Sequence, residues 1–259
     1  MGLLVLVGLA GLALGGFRAV GTKRATLYTL TDQALELEIE GEAAFRNLLL
    51  GLRSYHYRAQ RQAVTTLREF YYDTDDWSLV RRGYSCRLVE RLTDDGTAIY
   101  AIEVTRDAPG KRAFEVVSQL SVPVGQLMTA GSWDPILSAQ RELPAVRRLR
   151  EVLQEFEIEE ENLGVRGVGE VTINHFDITD KGRRWFELDY EQWIFSAFGA
   201  EDRVAFRWYG IALRPIGDPP DEEFLARVKQ MEDIFPTFYR FQSEVEPRLV
   251  RAVGALGRP

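Results

Sequence analysis

The sequence predicts an α+β fold organised around a large antiparallel sheet or barrel. Three observations carry this. Strand-like runs give way to helical sequence and then to further strands and helices, Asp94-Asp95-Gly96 joins two strand-like runs as a hairpin would, and no alternating βαβ pattern occurs. At 259 residues the chain is long enough to bury a substantial core.

Residues 25–40 read as a strand entering ALELEIE at 34–40, where glutamates occupy every second place between Leu35, Leu37 and Ile39. Such alternation fits either a sheet face in water or a face turned to a cavity that uses carboxylates. A helix follows over Glu42–Leu52, with Phe45, Leu48, Leu49 and Leu52 at helical spacing. The β-branched and aromatic run 64–74 reads as a strand, 84–92 and 97–106 as a hairpin, and 111–120 as a further strand. Residues 135–156 read as helical with a break at Pro144, and the acidic run Glu157–Glu161 as a solvated helix end or loop. Strands return at 168–179, 184–195 and 203–214. Helices follow over Asp221–Ile234 and Glu244–Ala255, the latter with Pro247 in its first turn.

Composition narrows the function. With 39 acidic against 32 basic residues and a net charge of −7, the chain lacks the basic surface that duplex nucleic acid requires. The single cysteine, Cys86, excludes an intramolecular disulfide and a cysteine-based zinc site. Neither His56 nor His175 sits in a metal-ligand spacing. GVRGVG at 164–169 imitates a phosphate loop but lacks its lysine and its strand-before-helix setting, so it reads as a turn. Arg81-Arg82 likewise reads as a solvated turn. Residues 1–21 form an apolar N-terminal segment: positions 1–17 carry no ionisable side chain, and Arg18, Lys23 and Arg24 follow. That pattern suggests a membrane anchor with the main domain, 25–255, on the cytoplasmic side; a cleaved signal or a soluble chain are the alternatives.

Two stretches together resemble the CYTH family, the triphosphate tunnel metalloenzymes. ALELEIE is similar to the family's Glu-x-Glu-x-Lys strand. In YYDTDDWSLVRRGYSCRLVERL, residues 71–92, Tyr72, Asp73, Thr74, Asp76, Leu79, Arg82, Gly83 and Arg87 follow the family's aromatic-Asp-Thr motif in order and spacing. Weaker similarity extends through 111–116, 185–195 and 240–249. The resemblance implies an eight-stranded antiparallel β tunnel with flanking helices, binding a triphosphate-containing small molecule with Mg²⁺ or Mn²⁺. By that resemblance Glu36, Glu38, Glu187 and Asp189 would hold metal, and Arg87, Arg106, Lys111, Arg112 and Arg214 would hold phosphate. Alternation on strands would deliver both sets inward, carboxylates for a hard cation and guanidinium forks for phosphate oxygens.

Departures from the family pattern are systematic. Glu40 stands where the family has the lysine of its first strand, Val89 where it has the second arginine of Arg-x-Arg, and Ser243-Glu244 where it has Ser-Lys; Gly210 and Ala212 occupy positions of late-strand carboxylates. Carboxylates kept without their cations repel a polyanion. Three readings follow: a metal-dependent triphosphatase, a degenerate member binding a smaller or less anionic ligand without turnover, and a membrane-tethered scaffold whose tunnel is filled by side chains. The oligomeric state is not legible.

Overall fold

The computed structural model describes residues 35–93, 97–108, 111–112, 116–120, 140–200, 202–216, 222–238 and 248–256. The N-terminal segment, the turn 94–96 and residues 121–139 lie outside these, as do the side chains of Glu36, Lys111 and Arg112. Among the described residues no helix is long and apolar enough to cross a membrane.

Nine strands form one antiparallel sheet: β1 (Leu35–Glu38), β2 (Arg58–Asp73), β3 (Tyr84–Leu92), β4 (Ala98–Ala108), β5 (Lys111–Arg112), β6 (Val116–Leu120), β7 (Gly164–Asp180), β8 (Arg183–Ala197) and β9 (Val204–Pro215). They pair in the order β1-β9-β8-β7-β2-β3-β4-β5, with β6 beside β4. The helices are α1 (Gly41–Ser54), α2 (Ser78–Arg81), α3 (Pro144–Glu155), α4 (Glu222–Phe238) and α5 (Arg248–Ala255). The α+β antiparallel class therefore stands. Among the described residues the strand order is linear, and no pairing closes it into the implied eight-stranded tunnel.

Residues cluster in two compact units. Unit 1 gathers the chain up to Val64, Ile173–Gln192 and Trp208–Val245. Its core forms where Phe45, Leu48 and Leu52 of α1 and Phe224, Val228 and Met231 of α4 meet Phe186, Leu188, Ile211 and Leu213 of the sheet. Phe45, Leu48 and Leu52 lie three and four residues apart, which brings them onto one side of α1. Phe45 stacks on Tyr190 at 4.0 Å. The β7–β8 turn places Lys181 and Gly182 at φ 49° and 82°, the pair of positive angles that a two-residue turn between twisted strands requires.

Unit 2 gathers Thr65–Thr172, Trp193–Arg207 and the chain from Glu246. One face of its sheet presents Phe70, Tyr72, Cys86, Leu88, Ile102 and Val104 to Ala145, Val146, Leu149 and Val152 of α3. Cys86 is buried there, and burial followed by the charge of Asp73 pushes its thiol up. Pro144 opens α3 rather than interrupting a longer helix; its fixed φ and missing N–H suit the first helical turn.

GVRGVG is the start of β7, not a turn. The reason lies on the neighbouring strand. A Cβ on Gly167 would stand 2.4 Å from the Phe195 ring, and one on Gly169 would stand 2.5 Å from Nε1 of Trp193 and 2.9 Å from Oε2 of Glu69. These glycines serve close approach within a strand. Gly169→Ala is expected to destabilise the protein by about 1–3 kcal/mol through overpacking, read as a shift of the denaturant midpoint at unchanged slope.

Candidate functional site

The best-matched motif builds a turn. Asp73, 1% exposed, accepts the backbone N–H groups of Thr74, Leu79 and Val80 at 2.7, 2.9 and 3.0 Å. Burial pushes its carboxyl up, and those N–H groups oppose the shift. Thr74 Oγ1 accepts the Ser78 N–H at 2.9 Å. Together they anchor α2 to the end of β2, and Gly83, at φ 78°, turns the chain into β3.

Strand alternation then places Glu69 and Tyr71 on the face of unit 2 opposite α3. Tyr71 pairs with Arg87 across β2–β3, and Arg87 with Glu103 across β3–β4. Glu69 is 2% exposed. Its Oε1 accepts from Arg87 at 2.8 Å and Arg248 at 3.4 Å, and its Oε2 from the Tyr71 hydroxyl at 2.5 Å and Trp193 Nε1 at 2.8 Å. Burial alone would raise this carboxyl. The Arg87 and Arg248 charges and the two side-chain hydrogen bonds outweigh it and hold Glu69 below the usual carboxylate range. Arg87 also donates Nε to Glu103 at 2.7 Å. Two guanidiniums and two carboxylates thus neutralise one another.

Aromatic rings fill the space beside this cluster. Trp193 lies 5.2 Å from Phe195, 6.2 Å from Tyr71 and 6.1 Å from Phe206, and Trp77 lies 6.2 Å from Phe195. Trp77, Trp193 and Phe195 are fully buried. From α5, the Arg248 guanidinium sits 4.8 Å above the Trp193 ring. Arg106, paired with Tyr84, shares the α3 face rather than the Arg87 face, with its guanidinium 5.6 Å from the Tyr84 ring centre.

In unit 1, the face opposite α1 and α4 carries alternating polar residues. Asp189 accepts from His175 Nδ1 at 2.7 Å on one oxygen and from Arg214 at 2.6 Å on the other. Arg184 pairs with Asp177 and, at 2.7 Å, with Glu187. Glu36 and Glu38 stand in register with Ala212 and Gly210 of β9. Arg184 and Arg214 remain 46% exposed, so both reach solvent.

Among the described residues no three acidic, histidine or cysteine side chains converge as a cation site requires. Asp189 already has a cationic or N–H partner on each oxygen, and Glu187 is tied to Arg184. As placed, Glu187 and Asp189 therefore do not offer Mg²⁺ or Mn²⁺ several oxygens of one site at once; the Glu36 side chain lies outside the described residues. The structure brings Asp189 and Arg214 together, holds Arg87 and Arg106 on opposite faces, and leaves Lys111 and Arg112 at the β4–β5 register. Glu69, Trp193 and Arg248, which complete the Arg87 cluster, escaped sequence reasoning. The signal was available in part, since Glu69, Tyr71 and Asp73 alternate with Phe70 and Tyr72.

The fold has counterparts among solved structures. HpAC1 from Hippeastrum, named as a candidate adenylyl cyclase with a dominant triphosphatase activity, matches with a TM-score of 0.52 at 15% identity, over 85% of this chain and 95% of that one. The fold is CYTH-like. A candidate adenylate cyclase from Bacillus halodurans matches over 84% of this chain and 95% of its own at 17% identity, with a TM-score of 0.46 that adds nothing to the argument. No protein-family profile and no curated protein matches the chain by sequence. Within a CYTH-like fold, the Glu69–Arg87–Glu103 cluster pairs its own charges, and on the β7–β9 face of unit 1 Arg184 and Arg214 reach solvent.

Proposed function

We propose that this chain is a CYTH-fold binding protein for a small phosphate-bearing ligand, held on the β7–β9 face of unit 1, and that it does not hydrolyse triphosphate. The likeness in fold to HpAC1 supports the ligand class. One observation carries the loss of turnover: Arg87, the arginine of the matched motif, is bonded to Glu69 and Glu103 instead of standing ready for phosphate. Stripping a guanidinium of one buried and one partly buried carboxylate costs several kcal/mol, which a mobile anion must offset before it gains anything. Arg184 and Arg214 are within reach of solvent, but Asp177, Glu187 and Asp189 beside them limit how much negative charge a ligand can bring. A ligand less charged than triphosphate suits that balance. In the same reading residues 1–17 tether the protein to a membrane, a proposal supported by the basic residues that follow them.

Phosphate release from inorganic triphosphate with Mg²⁺ or Mn²⁺ tests the reading. No release above background is expected, in the native protein or in Glu38→Ala. Metal-dependent release that both Glu38→Ala and Arg87→Ala abolish would establish a tunnel-type triphosphatase instead.

A further inference from the structure

We propose a second anion site on the α3 side of unit 2, where Arg82, Arg106 and Arg148 lie over Tyr84 and Phe156 and present their guanidiniums to a phosphate group. Nothing in the reading of the β7–β9 face requires it. The three arginines come from the α2–β3 junction, β4 and α3, so the fold alone assembles them. Arg106 and Arg148 lie 5.6 and 5.8 Å from the centre of the same Tyr84 ring. Tyr84 packs edge-on to Phe156 at 5.6 Å, and Arg82 lies 5.1 Å over Phe156.

Two of the three arginines are oriented by more than a ring. Arg82 donates to the Ser78 carbonyl at 3.1 Å, and Arg148 donates to the Tyr84 hydroxyl at 3.4 Å and to Glu151 at 2.9 Å. A guanidinium stacked on an aromatic face keeps its in-plane N–H edges for other partners, and its rotamer freedom is already spent. Arg81 and Arg147 are exposed on the same elements, α2 and α3. The carboxylates paired with this set are Glu151, on Arg148, and Asp76, 3.6 Å from Arg81. These five arginines stand beside Glu151 and Asp76, with Glu155 further along α3, on a chain whose net charge is −7. A phosphate group offers three oxygens to such forks and binds them bidentately. The group is carried either by a soluble phosphate compound or by a phospholipid headgroup; the chemistry recognised is the same.

Two arms separate the sources. The full chain is titrated calorimetrically with inorganic pyrophosphate, and floated with phosphatidylcholine vesicles with and without phosphatidic acid. Pyrophosphate binding or phosphatidic-acid-dependent flotation is expected in at least one arm, weakened about tenfold or more by Arg106→Ala/Arg148→Ala and left intact by Arg53→Ala, at an exposed residue of α1 outside both proposed sites; tenfold corresponds to about 1.4 kcal/mol. Arg82→Gln, which leaves Tyr84 and its two arginines untouched, serves as a second variant should the double substitution disturb folding. Binding in neither arm overturns the proposal. So does binding that these arginine substitutions on the α3 side leave unchanged.

Discussion

Arg87→Ala is expected to lower the stability of the protein by about 3–5 kcal/mol, the range for removing one partner of a buried ion pair. The arginine holds Glu69 at 2.8 Å and Glu103 through Nε at 2.7 Å, and Glu69 is 2% exposed. Without it, Glu69 keeps only Arg248 at 3.4 Å as a cation, and its carboxylate must protonate or draw in water. Urea denaturation measures the effect directly. Arg87→Ala combined with Glu69→Gln should recover part of the loss, because the stranded charge is gone. A change below about 0.5 kcal/mol, the scale of ordinary surface substitutions, would show that Arg87 is held ready for a ligand instead.

Trp193→Ala is expected to cost about 3–5 kcal/mol, as large aromatic truncations in cores do. The ring is fully buried, touches Tyr71, Phe195 and Phe206, and gives its N–H to Glu69 at 2.8 Å. Trp193→Phe separates packing from the hydrogen bond: it keeps an aromatic ring and leaves Glu69 one donor short, for about 1–3 kcal/mol. Equal losses in the two variants would mean that the N–H, and not the ring, is what matters there. Thermal unfolding followed by circular dichroism distinguishes the cases. If Trp193→Ala is as stable as the native protein, the face of unit 2 is not the packed core described here.

Hydrophobic periodicity and turn chemistry made most elements legible. α1 was written in Phe45, Leu48 and Leu52, and the hairpin of β3 and β4 in two alternating runs around Asp94-Asp95-Gly96. The errors have physical causes. Gly164–Gly169 looked like a turn because glycine alone does not reveal that Trp193 and Phe195, on a strand more than twenty residues later, press against it. Pro144 looked like a helix break because its effect depends on whether the first turn or the interior receives it. The first half of β2, RAQRQA, was missed because it is polar and mostly exposed.

The candidate site was less legible than the fold. Within the matched stretch 71–92, Tyr71 to Thr74 largely encodes a turn through Asp73, whereas Arg87 is fixed by Glu69 and Glu103, which lie outside that stretch. Pairing partners on other strands decide whether an arginine is a ligand or a structural post. Asp189 makes the same point in unit 1, since only the β8–β9 neighbourhood reveals that Arg214 answers it.

Cys86 has a practical meaning. As the sole thiol of the chain, 1% exposed and held protonated by its surroundings, it is shielded from alkylating reagents as long as β3 stays packed under α3. Its modification rate is therefore a clock for the opening of unit 2. Unlike circular dichroism or intrinsic fluorescence, it reports on that one layer alone, and it can be read on dilute protein in native buffer.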